Sequence, residues 1–164
     1  MAALLFGPLS TGAGAAPLQS PNQPGMVRVT IEVELSCPSC AVGLERRLRR
    51  LDYVAGVEVS PPEGQIVIAV EPGRHLDLAA VRDTVRNVGF TPDGVSVTAI
   101  GHVTDLNGAP AIALSPDFTL PLVAADGLAA LAIEAGDQLV RVTGHWIAPQ
   151  DGAPRLQVES LEVR

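Results

Sequence analysis

The chain has 164 residues, 47% hydrophobic but only 3% aromatic, with eleven arginines, no lysine, eighteen carboxylates and a formal net charge of −7. That length suits one ordinary domain or two small ones, with a core built from Val, Leu, Ile and Ala. The acidic balance argues against nucleic acid as a partner, no apolar run reaches the ~18–20 residues needed for stable membrane insertion, and two cysteines cannot form a disulfide framework.

Residues 1–25 hold a short apolar run, Ala2 to Leu9, followed by small residues from Ala13 to Ala16. That order resembles the back half of a secretory signal peptide, although the first basic residue is Arg28. The expectation is a flexible leader or signal-peptide remnant outside the fold. A genuine export signal implies a periplasmic or secreted protein; otherwise the protein is cytoplasmic.

Val27, Val29, Ile31, Val33 and Leu35 alternate with polar residues, which predicts a half-buried strand. The stretch "CPSCAVGLERRLRRL" follows. Pro38 suits the first turn of a helix, where its missing N–H is not needed. Cys40, Leu44, Leu48 and Leu51 then share one helical face, with Arg46, Arg47, Arg49 and Arg50 on the other side. Val54 to Ser60 and Gln65 to Glu71 predict a hairpin turned by "PPEG". Asp77 caps a second helix whose apolar face is Leu78, Val81, Val85 and Val88, and Gly89 suits its C′ position. Thr91 to Ala99 ends in a fourth strand. The order β-α-β-β-α-β over residues 26–99 predicts a ferredoxin-like α+β sandwich.

Beyond Ala99 the helical periodicity largely stops. Strands are predicted at Ile100–Leu106, Phe118–Val123, Gln138–Ile147 and Leu156–Val163, with turns at "DLNGAP" and "APQDGAP" and a short helix over Ala124–Ala135. Residues 100–164 therefore read as a second, small all-β domain, a barrel or sandwich. "GDQLVRVTGHW" and "LQVESLEV" resemble OB-fold strand patterns. This region carries three arginines against eight carboxylates, and its only aromatics are Phe118 and Trp146. Single-stranded nucleic acid needs basic grooves and stacking rings, so a protein-interaction or structural role is expected. "GHV" at Gly101 and "GHW" at Gly144 are alike but too short to count as a repeat.

Cys37 and Cys40 are the only cysteines. Three chemistries fit such a pair at a helix N-terminus: a soft-metal clamp, a dithiol redox couple, or a small disulfide. The positive end of a helix dipole lowers a thiol pKa from about 8.5, in known sites to roughly 3.5–7.5. Two thiolates suit Cu(I) among soft ions, and Hg(II) also accepts two sulfurs. Structural zinc takes four ligands, so it would need help from elsewhere. His75, His102, His145 and Met26 are the remaining side chains that could add a ligand.

In this setting Val27 to Ala99 resembles the heavy-metal-associated domain, the family of copper chaperones, metal-binding modules of copper-transporting ATPases and periplasmic mercury-binding proteins. The resemblance rests on "SCPSC" between strand and helix, "VAGVEVS" opening strand two, and "VRNVGF" closing helix two. It implies metal ligation by Cys37 and Cys40, with Leu35, Pro38, Ser39 and Phe90 beside the metal loop. The sequence departs from the family at Glu34 and Leu35, where Gly-Met is common. What the resemblance implies is a non-enzymatic chaperone or scavenger that holds Cu(I), with Hg and Zn as other ions. The ion would pass to or from a metal-donor or metal-acceptor protein.

Two rival readings stay open. "CPSC" also resembles the C-P-x-C of thioredoxin-like proteins, which implies thiol-disulfide exchange. Alternatively the OB-like region carries an adaptor function and the cysteines are incidental. "RRLRR" is either a solvated helix face or a docking surface for an acidic partner through Arg46, Arg47 and Arg50. No G-x-S-x-G, H-E-x-x-H or Walker A motif is present.

Overall fold

The computed structural model describes residues 23–35, 37–124, 136, 138–149 and 153–164. Residues 1–22 of the expected leader, Ser36 and nearly all of the expected helix over 124–135 lie outside the described residues, whereas Gly25, placed in the leader, opens the first strand and pairs with Ile100.

The first half follows the predicted order. Strand β1 (Gly25–Val33) leads to helix α1 (Pro38–Leu48), then to the hairpin of β2 (Val54–Ser60) and β3 (Gln65–Val70). Helix α2 (Leu78–Asn87) and the first part of β4 (Pro92–Leu106) complete it. All pairings here are antiparallel, in the spatial order β2-β3-β1-β4. Ile31 pairs with Ile66 on one side and Val95 on the other. Val29, Ile31, Val33, Val95 and Val97 are buried, while Arg28 and Glu32 are exposed and Thr30 is half-buried. One sheet face therefore meets the core and the other meets solvent, as strand alternation requires.

The helix ends are set locally. Asp77 Oδ1 accepts from the N–H groups of Ala79 and Ala80 at 2.9 and 3.1 Å, so it caps α2. At the other end Gly89 adopts φ +98°. Phe90 N–H donates to Val85 C=O, and Gly89 N–H to Arg86 C=O. That is a Schellman motif, and it delivers Phe90 half-buried against the core.

β4 is one strand of fifteen residues where the sequence suggested two. Ile100, where the sequence suggested a boundary, sits in its middle. Up to Ile100 one side of β4 pairs with β1; from His102 to Leu106 the same side pairs with β5 (Ala109–Ser115). The opposite side, Ser96 to His102, pairs with β7 (Leu139–Ile147). β6 (Phe118–Ala124) and β8 (Arg155–Val163) complete the ring β4-β5-β6-β8-β7-β4, a closed five-stranded barrel with a parallel pair between β6 and β8. β5 was absent from the sequence expectation. Its Ala- and Pro-rich text, "APAIALS", has low strand propensity, and burial of Ala111, Ile112 and Leu114 overrides it.

The β4–β5 hairpin turns on Asn107 (φ 58°) and Gly108 (φ 84°), a two-residue loop of the kind that suits strand twist. The barrel interior (Ile112, Leu120, Val140, Val142, Leu156) and the helix-covered face (Val29, Ile31, Leu44, Val81) form a single hydrophobic cluster.

Candidate metal centre

Val33 ends β1, and Glu34 and Leu35 carry the chain toward α1. Leu35 turns inward and is 8% exposed. Cys37 (φ −123°, ψ 104°) is the N-cap of α1, and Pro38 occupies the first turn, where it costs no hydrogen bond. Cys40 N–H donates to Cys37 C=O at 3.2 Å and to Cys37 Sγ at 3.3 Å. Ser39 Oγ stands 3.3 Å from the same sulfur. No acidic residue occupies the first turn. The positive end of the helix dipole thus faces Cys37 with no carboxylate on that turn to answer it.

The two Cα atoms are 5.3 Å apart, and the sulfurs are joined as a disulfide. Both cysteines are partly accessible and Ser39 is exposed. Behind them Ala41, Leu44 and Leu48 are buried, which fixes the helix against the sheet. Val42 points outward, 58% exposed, two residues past Cys40. It presents an apolar side chain that sequence patterning did not single out. Helical spacing could have found it, because position 42 lies off the Cys40-Leu44-Leu48 face.

The arginine run is less uniform than its sequence suggests. Arg49 donates to Glu45 Oε1 at 2.7 Å and to Val57 C=O, on edge strand β2, at 3.0 Å. Arg46, Arg47 and Arg50 are exposed and carry no ion pair among the described residues. Arg46 and Arg47 lie in the last turn of α1, and Arg50 lies two residues past its end. At 1.5 Å per residue, Arg47 lies about 10 Å along the axis from Cys40.

None of the candidate third ligands joins the cysteines. His75 stacks on Phe118 with ring centroids 4.0 Å apart. His145 bonds Ser96 through Nδ1 and meets Glu159 through Nε2 at 3.1 Å. His102 is exposed on β4. Met26 lies in β1, 2% exposed, and its sulfur accepts from Leu76 N–H at 3.4 Å. Among the described residues no group of three or more His, Cys, Asp or Glu side chains is placed to hold a metal ion. The cysteines can therefore supply two sulfurs once reduced, and leave further coordination positions to another molecule.

No protein-family model matches the chain. A stretch of 85 residues, half of the chain, is 34% identical to part of the copper-transporting ATPase HMA4 of Oryza sativa subsp. japonica. The chain spans only 9% of that protein's length. Among solved structures, the apo form of the HMA domain of a copper chaperone for superoxide dismutase aligns over 51% of this chain and 81% of its own length, at 20% identity and a TM-score of 0.36. The sequence similarity supports a heavy-metal-associated-like region in this chain.

Proposed function

We propose that the reduced protein binds a soft metal ion, Cu(I) first, between the thiolates of Cys37 and Cys40, and passes it to a partner by ligand exchange. The observation that carries this reading is the placement of both cysteines at the N-cap and first turn of α1, partly accessible and with no third ligand grouped beside them among the described residues. Two-sulfur coordination satisfies Cu(I) better than zinc, which takes four ligands in structural sites. An incoming thiolate can add to an ion held this openly before either cysteine leaves. The similarity to part of a copper-transporting ATPase supports the same ion. Arg46, Arg47 and Arg50 would steer an acidic partner toward the α1 face and raise the encounter rate more than the affinity.

The strand order of the barrel supports the OB-like reading of this region. Numbered along the barrel, its strands run 1-2-3-5-4 and close back on 1, with the parallel pair between 3 and 5. The net charge of −5 over residues 100–164 supports a protein-facing role over a nucleic-acid one.

The test is titration of the reduced protein with Cu(I) against a competing chelator, with Cys37→Ser and Cys40→Ser alongside. Tight binding that either substitution abolishes is expected; binding that survives both defeats the reading. One observation favours a second reading. The pair closes into a disulfide without leaving the helix N-terminus, so a dithiol-disulfide cycle is also within its chemistry. Catalytic reduction of a model disulfide, together with weak Cu(I) binding, would select that reading.

A further inference from the structure

The chain has only five aromatic residues, three Phe, one Trp and one Tyr. Three of them, Tyr53, Phe118 and Trp146, stand in the wall of one cleft of about 510 Å3 where the helix-covered half meets the barrel. That volume falls in the range of small-molecule sites. Buried Met26 and Leu120 supply apolar lining.

The charged groups of the lining are Asp52 and Asp77, with His75 stacked on Phe118. The N-terminus of α2 also opens here, but Asp77 already accepts its Ala79 and Ala80 N–H groups. Its pull on an anion is therefore answered within the fold. The rings show the complementary preference. Arg74 lies 4.9 Å from the Tyr53 centroid, and Arg82 lies 5.4 Å from the Trp146 centroid. Arg82 belongs to a neighbouring hollow that Trp146 also lines, and neither arginine lines the cleft. Electron-rich rings and the Asp52 carboxylate, with the part of the Asp77 charge that the cap leaves over, attract positive charge, and the apolar lining asks for an apolar body.

We propose that this cleft binds a small organic cation with an aromatic or branched aliphatic body. This is independent of metal binding at Cys37 and Cys40.

Trp146 is the sole tryptophan, so the intrinsic fluorescence of the full chain reads the cleft wall directly. The probes are benzyltrimethylammonium, with phenylacetate as an anionic and benzyl alcohol as a neutral counterpart. A saturable change with the cation is expected, with the neutral and anionic compounds binding about tenfold or more weakly. In the double variant Asp52→Asn, Asp77→Asn the cation should bind about tenfold more weakly. Asn caps a helix as well as Asp, so α2 should persist, and circular dichroism checks that it does. Three outcomes overturn the proposal: no saturable response to the cation up to roughly 10 mM, equal affinity for the three compounds, or unchanged cation affinity in a folded double variant.

Discussion

Residues 25–100 cover one face of a four-stranded sheet with two helices, whereas the strands that follow cover theirs by closing on themselves. The helix-covered half depends on where helices start and stop: Asp77, Gly89 and the Cys37-Pro38 entry each settle one helix end. The barrel depends on close approach between strands. At Gly101 an added Cβ would collide with Ala113 C=O, and at Gly144 with Gln157 C=O. Gly101 sits where β4 passes from β1 to β5, and Gly144 sits at a register shift between β7 and β8. The two "GH" dipeptides thus share a structural cause, a strand bending where only a glycine fits. The helix-covered half is thus sensitive to lost caps, and the barrel to bulk added at Gly101 and Gly144.

The largest expected effect tests that contrast. Gly144→Ala places a methyl group against backbone, which cannot rotate away, and should cost about 3 kcal/mol or more. Chemical denaturation measures it. Because the core is continuous across both halves, helix loss by circular dichroism and Trp146 fluorescence should change at one shared midpoint. Separate midpoints would show that the halves melt independently, and would break the view that shared β4 couples them.

Next in size is the cysteine loop. In the oxidised protein the disulfide closes a four-residue loop, which the chain-entropy account values at about 2 kcal/mol. Cys37→Ser removes that term. Its hydroxyl should still accept from Cys40 N–H, since Ser is a favourable N-cap. The variant should therefore match reduced wild type in stability while losing Cu(I). Destabilisation well beyond the oxidised-to-reduced difference would mean that the sulfur itself packs as part of the core.

Asp77→Ala should cost about 1 kcal/mol, the ordinary value of an N-cap. Asp77→Asn should restore most of it. A null result would remove the claim that caps govern the helix-covered half.

Much of that half was legible because each element announces itself over a few neighbouring residues. The β1 alternation, the Asp77 cap, the Gly89 C′ residue and the β2–β3 hairpin are local signals. So is the C-x-x-C entry to α1. The barrel was legible only in part, because its signals are long-range. β5 gives no strand pattern until β4 and β6 flank it. The single span of β4 was hidden because Ala99 and Ile100 are both buried, so alternation breaks where the strand passes from β1 to β5. The fates of His75, His145 and Met26 depend on Phe118, Ser96 and Leu76, partners between 43 and 50 residues away. No local pattern contains them. For the same reason the gathering of Tyr53, Phe118 and Trp146 into one cleft was invisible before the fold.

The smallest expected effect is a gain. Gly43 lies inside α1, exposed, and an added Cβ there would meet nothing within 4 Å. Its backbone is helical, so Ala fits without strain, and glycine in a helix interior costs roughly 0.5–1 kcal/mol relative to Ala. Gly43→Ala should therefore stabilise the protein by about that amount, read as a higher denaturation midpoint at unchanged slope. The position is three residues past Cys40, so the same variant asks what a stiffer α1 does to the metal loop. If the loop is already held by the Cys37 cap and Leu35, Cu(I) affinity should stay within about twofold, well under a 1.4 kcal/mol difference. A larger fall would show that α1 must unwind at its first turn to take or release the ion. The helix-covered half would then need flexibility at the very residue where its sequence forgoes stability.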